Sequence, residues 1–433
     1  MRLARIGAHT TRRIGAHPRA RVRICAIAPS GAHDAHDAHE RAPLRRRKHQ
    51  QQQHKIVAPS PWIGLERWRA LAIDDRRRWG ASDGAREPND AVEGDVNVMR
   101  EMGERAASEA SCVASAARHI VATADPRAKA AMSHGVYKAL LRGELEIVRE
   151  GWDGAREMPA KPARPAEPRL VPPKEVPSPK TSPLGRVAHV MHNLAHIELN
   201  AIDLAWDTIG RYASLRGALP DQFFIDFAHV ADDESRHLLW CLQRLDELGV
   251  RYGDMVAHDV LWEGAEATAN DPLARLAVVP CMQEARGLDA GPRLAERLVG
   301  FGDPRSAAIV RRISDEEVGH VAVGATWFRT VCAALDEKTL DEASREAVAA
   351  KTFRAYIEKL APDALRGPFN VDDRARAGID PLWYASDDIT TSVKVEKHVW
   401  DADPEIMDAL RRRLSTVVAV EEASASQTSS SNA

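Results

Sequence analysis

The sequence predicts an all-α protein whose centre is a four-helix bundle, with additional N-terminal helices and an irregular C-terminal extension. Three observations predict this fold class. Several long segments repeat apolar residues at helical rather than strand spacing. Proline is concentrated in one short connector and becomes sparse after it. Two of the long segments also contain Glu-x-x-His, and each motif follows another glutamate by a similar interval, 36 residues in one case and 33 in the other.

The composition is that of a soluble globular protein, with 44% hydrophobic and 28% charged residues among 433. A net charge of −3 creates no overall field that would attract nucleic acid or a membrane. No run of 18 apolar residues occurs, so no membrane-spanning helix is expected. The five cysteines are far apart and form no C-x-x-C pair, which argues against a disulfide framework and a cysteine zinc site. We therefore expect an intracellular, cytoplasmic protein with no membrane partner.

Residues 1–55 differ from the rest of the chain. They contain 11 Arg and 2 Lys but only three acidic residues, and they include the low-complexity stretch "KHQQQQHK". This composition resembles a transit peptide, which would direct the protein to mitochondria or plastids. The alternatives are a disordered basic tail and an upstream stretch wrongly included in the gene. The segment lacks the aromatic residues that stack on bases, so it does not indicate nucleic-acid binding.

The N-terminal helical region, 56–158, precedes the connector. Two helices are predicted between about 104 and 152, and the second begins with Asp125 as its cap and Pro126 in its first turn. The pattern over 56–103 favours no element. The connector, 159–183, contains nine prolines and is expected to be extended, stiff and laid over the following domain.

The bundle is predicted to occupy 184–365. We expect a fifth helix within it at 335–362, after four long helices at about 186–215, 220–248, 270–300 and 304–334. Pro280 should kink the third helix, and "GLDAGP" at 287–292 is a second candidate break.

The C-terminal extension is predicted to cover 366–420. Its first part, 366–379, looks irregular, and a last helix is expected at about 404–416. The polar residues 421–433 have the composition of a disordered tail.

The two motifs are Glu234-x-x-His237 and Glu317-x-x-His320. Chance alone supplies about one such motif in a chain of this composition, so the positions of the two matter more than their number. Residues three apart share a helix face. Each motif also has an earlier partner, Glu198 for the first and Glu284 for the second. If each pair of helices is an antiparallel hairpin, the rise of about 1.5 Å per residue returns the two members of each pair to nearly the same height.

Four carboxylates and two imidazoles around one point need cations to offset the cost of burying their charge. Two divalent ions supply four positive charges, and this pattern is typical of the ferritin-like di-iron and di-manganese carboxylate proteins. Hard carboxylate ligands with two imidazoles suit Fe or Mn better than copper or a structural zinc. The predicted cofactor is therefore two Fe, with Mn as the alternative, and the predicted ligands are Glu198, Glu234, His237, Glu284, Glu317 and His320.

Simpler interpretations are also open. The four glutamates could be solvated or paired with arginines, for which the candidates are Arg236, Arg286 and Arg312. His192 and His196, four residues apart, could form a zinc pair, or His196 could be a hydrogen-bond donor to the ligands or a surface residue.

Three further acidic residues lie near the predicted ligands in the sequence. Asp203 and Asp233 could orient the ligating imidazoles. Asp233 and Glu316, each next to a predicted ligand, are expected to be solvated neighbours instead.

Several long motifs, in order, resemble the ferritin-like family called domain of unknown function 455. They are "HIELNAIDLAWD", "FAHVADDESRHL", "AHDVLWEGA", "PCMQEARGLDAGP", "DEEVGHVAVGATWFR" and "RGPFNVDDRARAGI". The resemblance covers about 108–380, including "ATADPRAKA" and "RLVPPKEVP". It implies a ferritin-like bundle and a dinuclear metal site whose ligand positions match the six residues above, and it implies no substrate.

The expected function is that of an O2-dependent oxidoreductase, a hydroxylase or oxidase acting on a small-molecule substrate that the sequence does not identify. The alternatives are a non-enzymatic metal-handling protein and a ferritin-like interaction scaffold. A distant relationship to a tRNA-modifying hydroxylase makes RNA a conceivable substrate, but nothing in 108–380 supports it. An oligomer is compatible with the sequence. An apolar tunnel beside the ligands would favour the enzyme, and a sealed site would favour the alternatives.

Overall fold

The computed structural model describes residues 63–75, 77–80, 90–335, 340–365 and 367–385. No β-strand occurs among these residues, and the all-α prediction is confirmed. The predictions for 1–55, for a helix at 404–416 and for the tail at 421–433 lie outside the described residues.

The described N-terminal part is helical. Its helices are α1 Leu65–Arg69, α2 Asp90–Glu109, α3 Val113–Val121, α4 Pro126–Leu141 and the single turn α5 Gly154–Glu157. α4 begins as predicted, since the Asp125 carboxylate accepts a hydrogen bond of 2.7 Å from the backbone N–H of Ala128. The prediction of one continuous helix before α4 is wrong. Cys112 starts a new helix there, because its backbone N–H donates to the hydroxyl of Ser115 and its sulfur accepts from the Ser115 N–H.

The connector contains no α-helix between 159 and 183 and makes only a 3-10 turn, Pro173–Glu175. It lies on the helices beside it, as predicted. Ala163 donates a backbone hydrogen bond of 2.9 Å to Val121, and the indole of Trp262 donates one of 3.2 Å to the carbonyl of Ala160. The guanidinium of Arg164 pairs with the fully buried carboxylate of Asp203.

Four long helical segments follow. They are α6 Arg186–Tyr212, α7 Asp221–Glu247, the third segment formed by α9 and α10, and α11 Pro304–Leu335. A short α8, Val260–Ala267, precedes the third segment, which consists of α9 Pro272–Val278, a π-turn Val279–Gln283 and α10 Glu284–Gly300. α6 packs along α7, α10 packs along α11, and the two pairs meet through α7 and α11. Eight residues, 213–220, turn the chain back between α6 and α7.

At Pro280, where a kink was predicted, the regular α-helical hydrogen bonding is interrupted, because Pro280 has no N–H to continue the ladder and lies in the π-turn. The break expected at 287–292 is wrong, since α10 continues through Gly287, Gly291 and Pro292. Gly291 allows α10 to pack closely on α11, because its missing side chain leaves room for Ser314 of α11.

α11 is long and apolar enough to cross a membrane by length and composition, but 72% of its most apolar stretch is buried inside the protein. It also carries two of the predicted ligands. The core helix of a soluble protein can have the same length and composition, and the burial of α11 is that of a core helix.

The described C-terminal helices are α12 Glu342–Leu360 and α13 Val371–Arg376. α13 falls in the stretch that was expected to be irregular. It is held against α10 by the buried Arg374, which donates hydrogen bonds of 2.9 and 2.7 Å to both carboxylate oxygens of Asp289. This contact joins residues 85 positions apart, and a local pattern does not reveal it.

The segment 63–80, for which the sequence favoured no element, packs on α7 and α11. Trp68 is 3% exposed and stacks on the imidazole of His229, with 3.9 Å between ring centroids. Arg69 donates hydrogen bonds of 3.0 and 2.7 Å to Asp226. Arg77 pairs with Asp232 at 2.6 Å. Residues before the bundle therefore contribute to its packing.

The crossing of α2 and α4 depends on two glycines. A Cβ added to Gly135 would overlap the backbone of Gly103. We expect Gly135→Ala to lower the free energy of unfolding by about 1–3 kcal/mol, the usual cost of overpacking. Urea denaturation measures it. Gly300→Ala is the matched control, because a Cβ there meets nothing within 4 Å, and it should be neutral or stabilise the protein by up to about 1 kcal/mol. Equal effects of the two substitutions would contradict this account of the crossing.

Candidate metal centre

All six predicted ligands converge in the bundle. In one group, ligand atoms of Glu198, Glu234, His237 and Glu317 all lie within 4.8 Å of one another. In a second, the same holds for Glu234, Glu284, Glu317 and His320. Glu234 and Glu317 belong to both groups, so the side chains could hold two adjacent cations that share two carboxylates.

Each half of the cluster comes from one helix pair. Glu198 lies in the middle of α6, opposite Glu234 and His237 on α7. Glu284 is the first residue of α10, directly after the π-turn, and faces the motif of α11. Because i and i+3 share a helix face, each motif offers an oxygen and a nitrogen to the same point.

Both imidazoles turn Nδ1 towards the carboxylates. Nδ1 of His237 lies 3.4 Å from Glu198, 3.3 Å from Glu234 and 3.7 Å from Glu317. Nδ1 of His320 lies 2.9 Å from Glu234 and 3.3 Å from Glu317. The Nε2 atom of each ring is therefore left for a partner on the other side.

Those partners are Asp233 and Glu316, and the expectation that they are solvated is wrong. Nε2 of His237 lies 2.7 Å from Glu316, and Nε2 of His320 lies 3.4 Å from Asp233. Arg236 joins the two carboxylates, with contacts of 2.6 Å to Asp233 and 2.8 Å to Glu316. A carboxylate behind a ligating imidazole fixes its orientation and raises its basicity.

The pairing is reciprocal. Glu316 directly precedes the α11 motif but orients His237 of α7, while Asp233 directly precedes the α7 motif but orients His320 of α11. The signal was present in the sequence, since an acidic residue directly precedes the glutamate of both motifs. Asp203, the other proposed orienting residue, pairs instead with Lys129 and Arg164.

Burial and neighbouring charges change the pKa values of Glu198, Glu284 and Glu234 in different directions. Burial, and then the charge of Glu234, raises the pKa of Glu198 well above its usual value. Burial and the charge of Glu317 raise the pKa of Glu284 in the same way. Burial alone would also raise the pKa of Glu234, but the imidazoles of His320 and His237 lower it overall.

The pKa values of the two histidines are raised, which favours their positively charged forms. Burial alone would lower the pKa of His237, but hydrogen bonds to Glu198, Glu234 and Glu316 raise it well above the usual value. Burial acts the same way on His320, and the charges of Glu317 and Glu234 raise its pKa overall. Without metal, protons therefore supply the positive charge that the clustered carboxylates require.

The donor atoms fit divalent cations. Oε1 of Glu234, Oε2 of Glu317 and Nδ1 of His320 are buried and have no aligned hydrogen-bond partner among the described residues. The Glu234–His320 contact of 2.9 Å brings two of these atoms together without hydrogen-bond geometry. Unpaired buried polar atoms cost free energy, and a cation between them would pair with all three. Carboxylate oxygens with one imidazole per position suit Fe or Mn.

For Arg236, Arg312 and His196, the contacts do not support the competing interpretations. Arg236 and Arg312 pair with Glu316 and not with the four glutamates. His196 is 4% exposed, and its two ring nitrogens lie 2.7 Å from the Tyr252 hydroxyl and 2.8 Å from the His258 carbonyl. His196 is thus neither a surface residue nor available to form a zinc pair with His192.

A cavity of about 320 Å³ adjoins the cluster. All four glutamates lie on its wall, and most other lining residues are apolar, among them Leu194, Ile197, Leu204, Val310 and Ile313. Ile197 is 45% exposed, and the cavity reaches the protein surface on this side.

Comparisons with known proteins agree with the resemblance seen in the sequence. The family model described as "Protein of unknown function (DUF455)" matches residues 122–385, which include all six candidate ligands. An uncharacterized protein of Haemophilus influenzae is 35% identical over 261 residues, which cover 59% of this chain and 86% of that relative. No solved structure matched the chain significantly.

The raised pKa values predict how the stability of the metal-free protein depends on pH. Glu198, Glu284, His237 and His320 bind protons more tightly in the folded than in the unfolded chain. Their contribution is complete below the unfolded pKa values and is lost as pH rises through the folded ones. In chelator-treated protein this contribution should therefore decline from about pH 5 to about pH 7.5, and it is opposed by four other histidines whose pKa values burial lowers, His189, His192, His196 and His229. The measurement is the difference in melting temperature between the wild type and Glu198→Gln/Glu284→Gln, because the opposing histidines are the same in both proteins. The wild type should lose stability relative to the variant as pH rises over this range, and a relative gain would contradict the charge assignment.

The reciprocal carboxylates predict a second effect. Glu316→Gln and Asp233→Asn should each weaken Fe(II) or Mn(II) binding by about 10–100-fold, because each leaves one imidazole without its orienting carboxylate. Equilibrium dialysis followed by metal analysis measures this. Glu296→Gln, at an exposed position on α10, is the control and should leave affinity unchanged. If both variants bind Fe(II) or Mn(II) with wild-type affinity, neither carboxylate supports a ligand.

Proposed function

Because the chain belongs to the family described as "Protein of unknown function (DUF455)", whose description carries no activity, we propose its function from the site itself. The protein is a ferritin-like dinuclear metalloprotein that binds two Fe, with Mn as the alternative. It acts as an O2-dependent oxidoreductase, a hydroxylase or oxidase, on a small organic molecule.

The ligand set supports the ferritin-like assignment. Each helix pair contributes one glutamate from its first helix and one Glu-x-x-His from its second, as in dinuclear carboxylate bundles. Glu198, Glu234, His237 and Glu317 would hold one ion, and Glu234, Glu284, Glu317 and His320 would hold the other. Bound iron would supply the redox chemistry that reduces O2.

The observation that carries the enzymatic proposal is the apolar cavity. It reaches the four glutamates directly and is otherwise lined mainly by aliphatic side chains. A protein that only takes up and releases cations needs a polar path to its site, because an apolar wall offers no ligand to a dehydrating ion. An apolar cavity suits O2 and an organic substrate.

Residues around the cluster orient its imidazoles, and two of its carboxyls carry protons in the metal-free site. Glu316 and Asp233 fix the two imidazoles, and Arg236 fixes both carboxylates. Glu198 and Glu284 have raised pKa values in the metal-free site, so cation binding should release protons from them to solvent.

The central experiment begins with protein purified without oxygen. Metal content is measured first, then Fe(II) is added and dissolved O2 is followed. We expect two ions per chain and O2 consumption that requires Fe(II). Bound metal without O2 consumption would favour the metal-handling alternative, and a protein that binds no divalent ion would favour the scaffold.

One substitution tests the ligand set within this experiment. Glu284→Gln keeps the size of the side chain and removes a charge that is already unfavourable in the metal-free core, so the fold should persist. Metal content should fall from two ions to one or fewer, and the rate of O2 consumption should fall by at least about tenfold. Glu296→Gln on the same helix should change neither quantity. A Glu284→Gln variant with full metal content and full rate would remove Glu284 from the site.

A further inference from the structure

The wall of the apolar cavity includes one amide whose orientation is fixed. Gln283 is the last residue of the π-turn and lines the cavity next to Glu284. Its Nε2 donates a hydrogen bond of 3.3 Å to the carbonyl of Leu261. Only the NH2 end of an amide can face a carbonyl, so Oε1 must point the other way. Oε1 is buried and has no hydrogen-bond partner among the described residues.

His258 supplies a second such atom on the same wall. Its Nδ1 is also buried without a partner within the described part of the chain, although its carbonyl accepts the hydrogen bond from His196. Two buried polar atoms of residues that line this mainly aliphatic cavity are therefore unsatisfied. Each one costs about 1–3 kcal/mol when it remains unpaired, so the site favours a ligand that pairs with it.

The cavity sets the size of that ligand. An apolar cavity of about 150 Å³ holds a benzene molecule of six carbon atoms. A cavity of about 320 Å³ is roughly twice as large, so it has room for about ten to twelve non-hydrogen atoms.

The charges around the cavity argue against an anionic ligand. Four glutamates lie on its wall. Arg286, the cationic lining residue, has 43% of its side chain exposed and lies 4.0 Å from Asp289. With the four glutamates engaged by metal ions, as in the proposed function, the rest of the lining is mainly aliphatic and argues equally against a cationic ligand, because burying a charge without a partner is costly.

We infer that the cavity binds a neutral, mainly aliphatic molecule of about ten to twelve non-hydrogen atoms that carries one hydrogen-bond donor, a hydroxyl or an amide N–H. The donor is held by Oε1 of Gln283, and the aliphatic part lies along Leu194, Val310 and Ile313. This names the substrate class and rests on the proposed function. Because Gln283 directly precedes Glu284, the polar end of the molecule is anchored beside the metal ligands.

The test uses the full-length protein, both as purified and after removal of metal. Calorimetric titration compares 1-octanol with its methyl ether, which lacks the donor, and with octanoate, which is anionic. We expect 1-octanol to bind about tenfold more tightly than the ether, the worth of one satisfied hydrogen bond, and octanoate to bind more weakly still.

Two variants localise the effect. Gln283→Leu should abolish the preference for 1-octanol over the ether while keeping the binding of the ether. Ala201→Phe, which adds bulk to the wall one turn from Glu198, should weaken both ligands by at least about tenfold and leave metal content unchanged. Thermal unfolding checks that both variants fold, and the wild-type comparison stands without them.

Equal binding of 1-octanol and the ether to the wild type would overturn the hydrogen-bond assignment. Tightest binding of octanoate would overturn the neutral class, and failure of all three ligands to bind would overturn the cavity as a binding site. Metal content and O2 consumption are measured on the same preparations. If the ligand preference is absent while metal content and O2 consumption are as expected, this inference alone is rejected. If the ligand preference is present while metal content and O2 consumption are not as expected, the proposed function is rejected.

Discussion

Four carboxylates packed within a few ångströms of one another in a helical core are the constraint on which the surrounding structure depends. Like charges at that distance repel strongly in a medium of low dielectric constant. Two imidazolium groups meet two of the charges, and raised pKa values keep protons on the other two carboxyls in the absence of metal. The same number of positive charges would arrive with two divalent ions. The site therefore has a nearly neutral state both with and without cations, and this allows the bundle to fold before it is loaded.

The reciprocal pairing of Asp233 and Glu316 links this electrostatic balance to the packing of the bundle. Each carboxylate supports the histidine of the opposite helix, and Arg236 bridges both. A shift of α7 against α11 by one residue would break both contacts at once, so the register of this seam and the orientation of the ligands depend on the same three side chains. Trp68, from the segment before the bundle, closes the seam over Gly319 of α11, where a Cβ would meet its indole.

Much of this architecture could be predicted from the sequence, and the failures have a common cause. The convergence of the six candidate ligands follows from spacing within helices, and the interruption of the α-helix at Pro280 follows from its missing N–H. The sequence named Asp233 as a candidate to orient an imidazole, but it did not show which imidazole Asp233 or Glu316 supports, because each partner lies on another helix. The contacts of 63–80 and of α13 are likewise long-range, and neither segment has a periodic pattern. The restart at Cys112 depends on a cap formed by a sulfur, which is not among the usual signals.

The site is also one-sided, and this asymmetry bears most directly on its use. The wall of the cavity includes all four glutamates but neither His237 nor His320. The imidazoles face the α7–α11 seam, which Asp233, Glu316 and Arg236 fill with hydrogen bonds. The opposite side, between α6 and α10, is open and aliphatic, and the glutamates that these two helices contribute are the ones with raised pKa values. A cluster built only to bind the two bundle halves together would gain stability from packing on both sides. Leaving one side unfilled costs packing energy, so the cavity is best explained by a molecule that enters there and meets the metal ligands from the α6–α10 side.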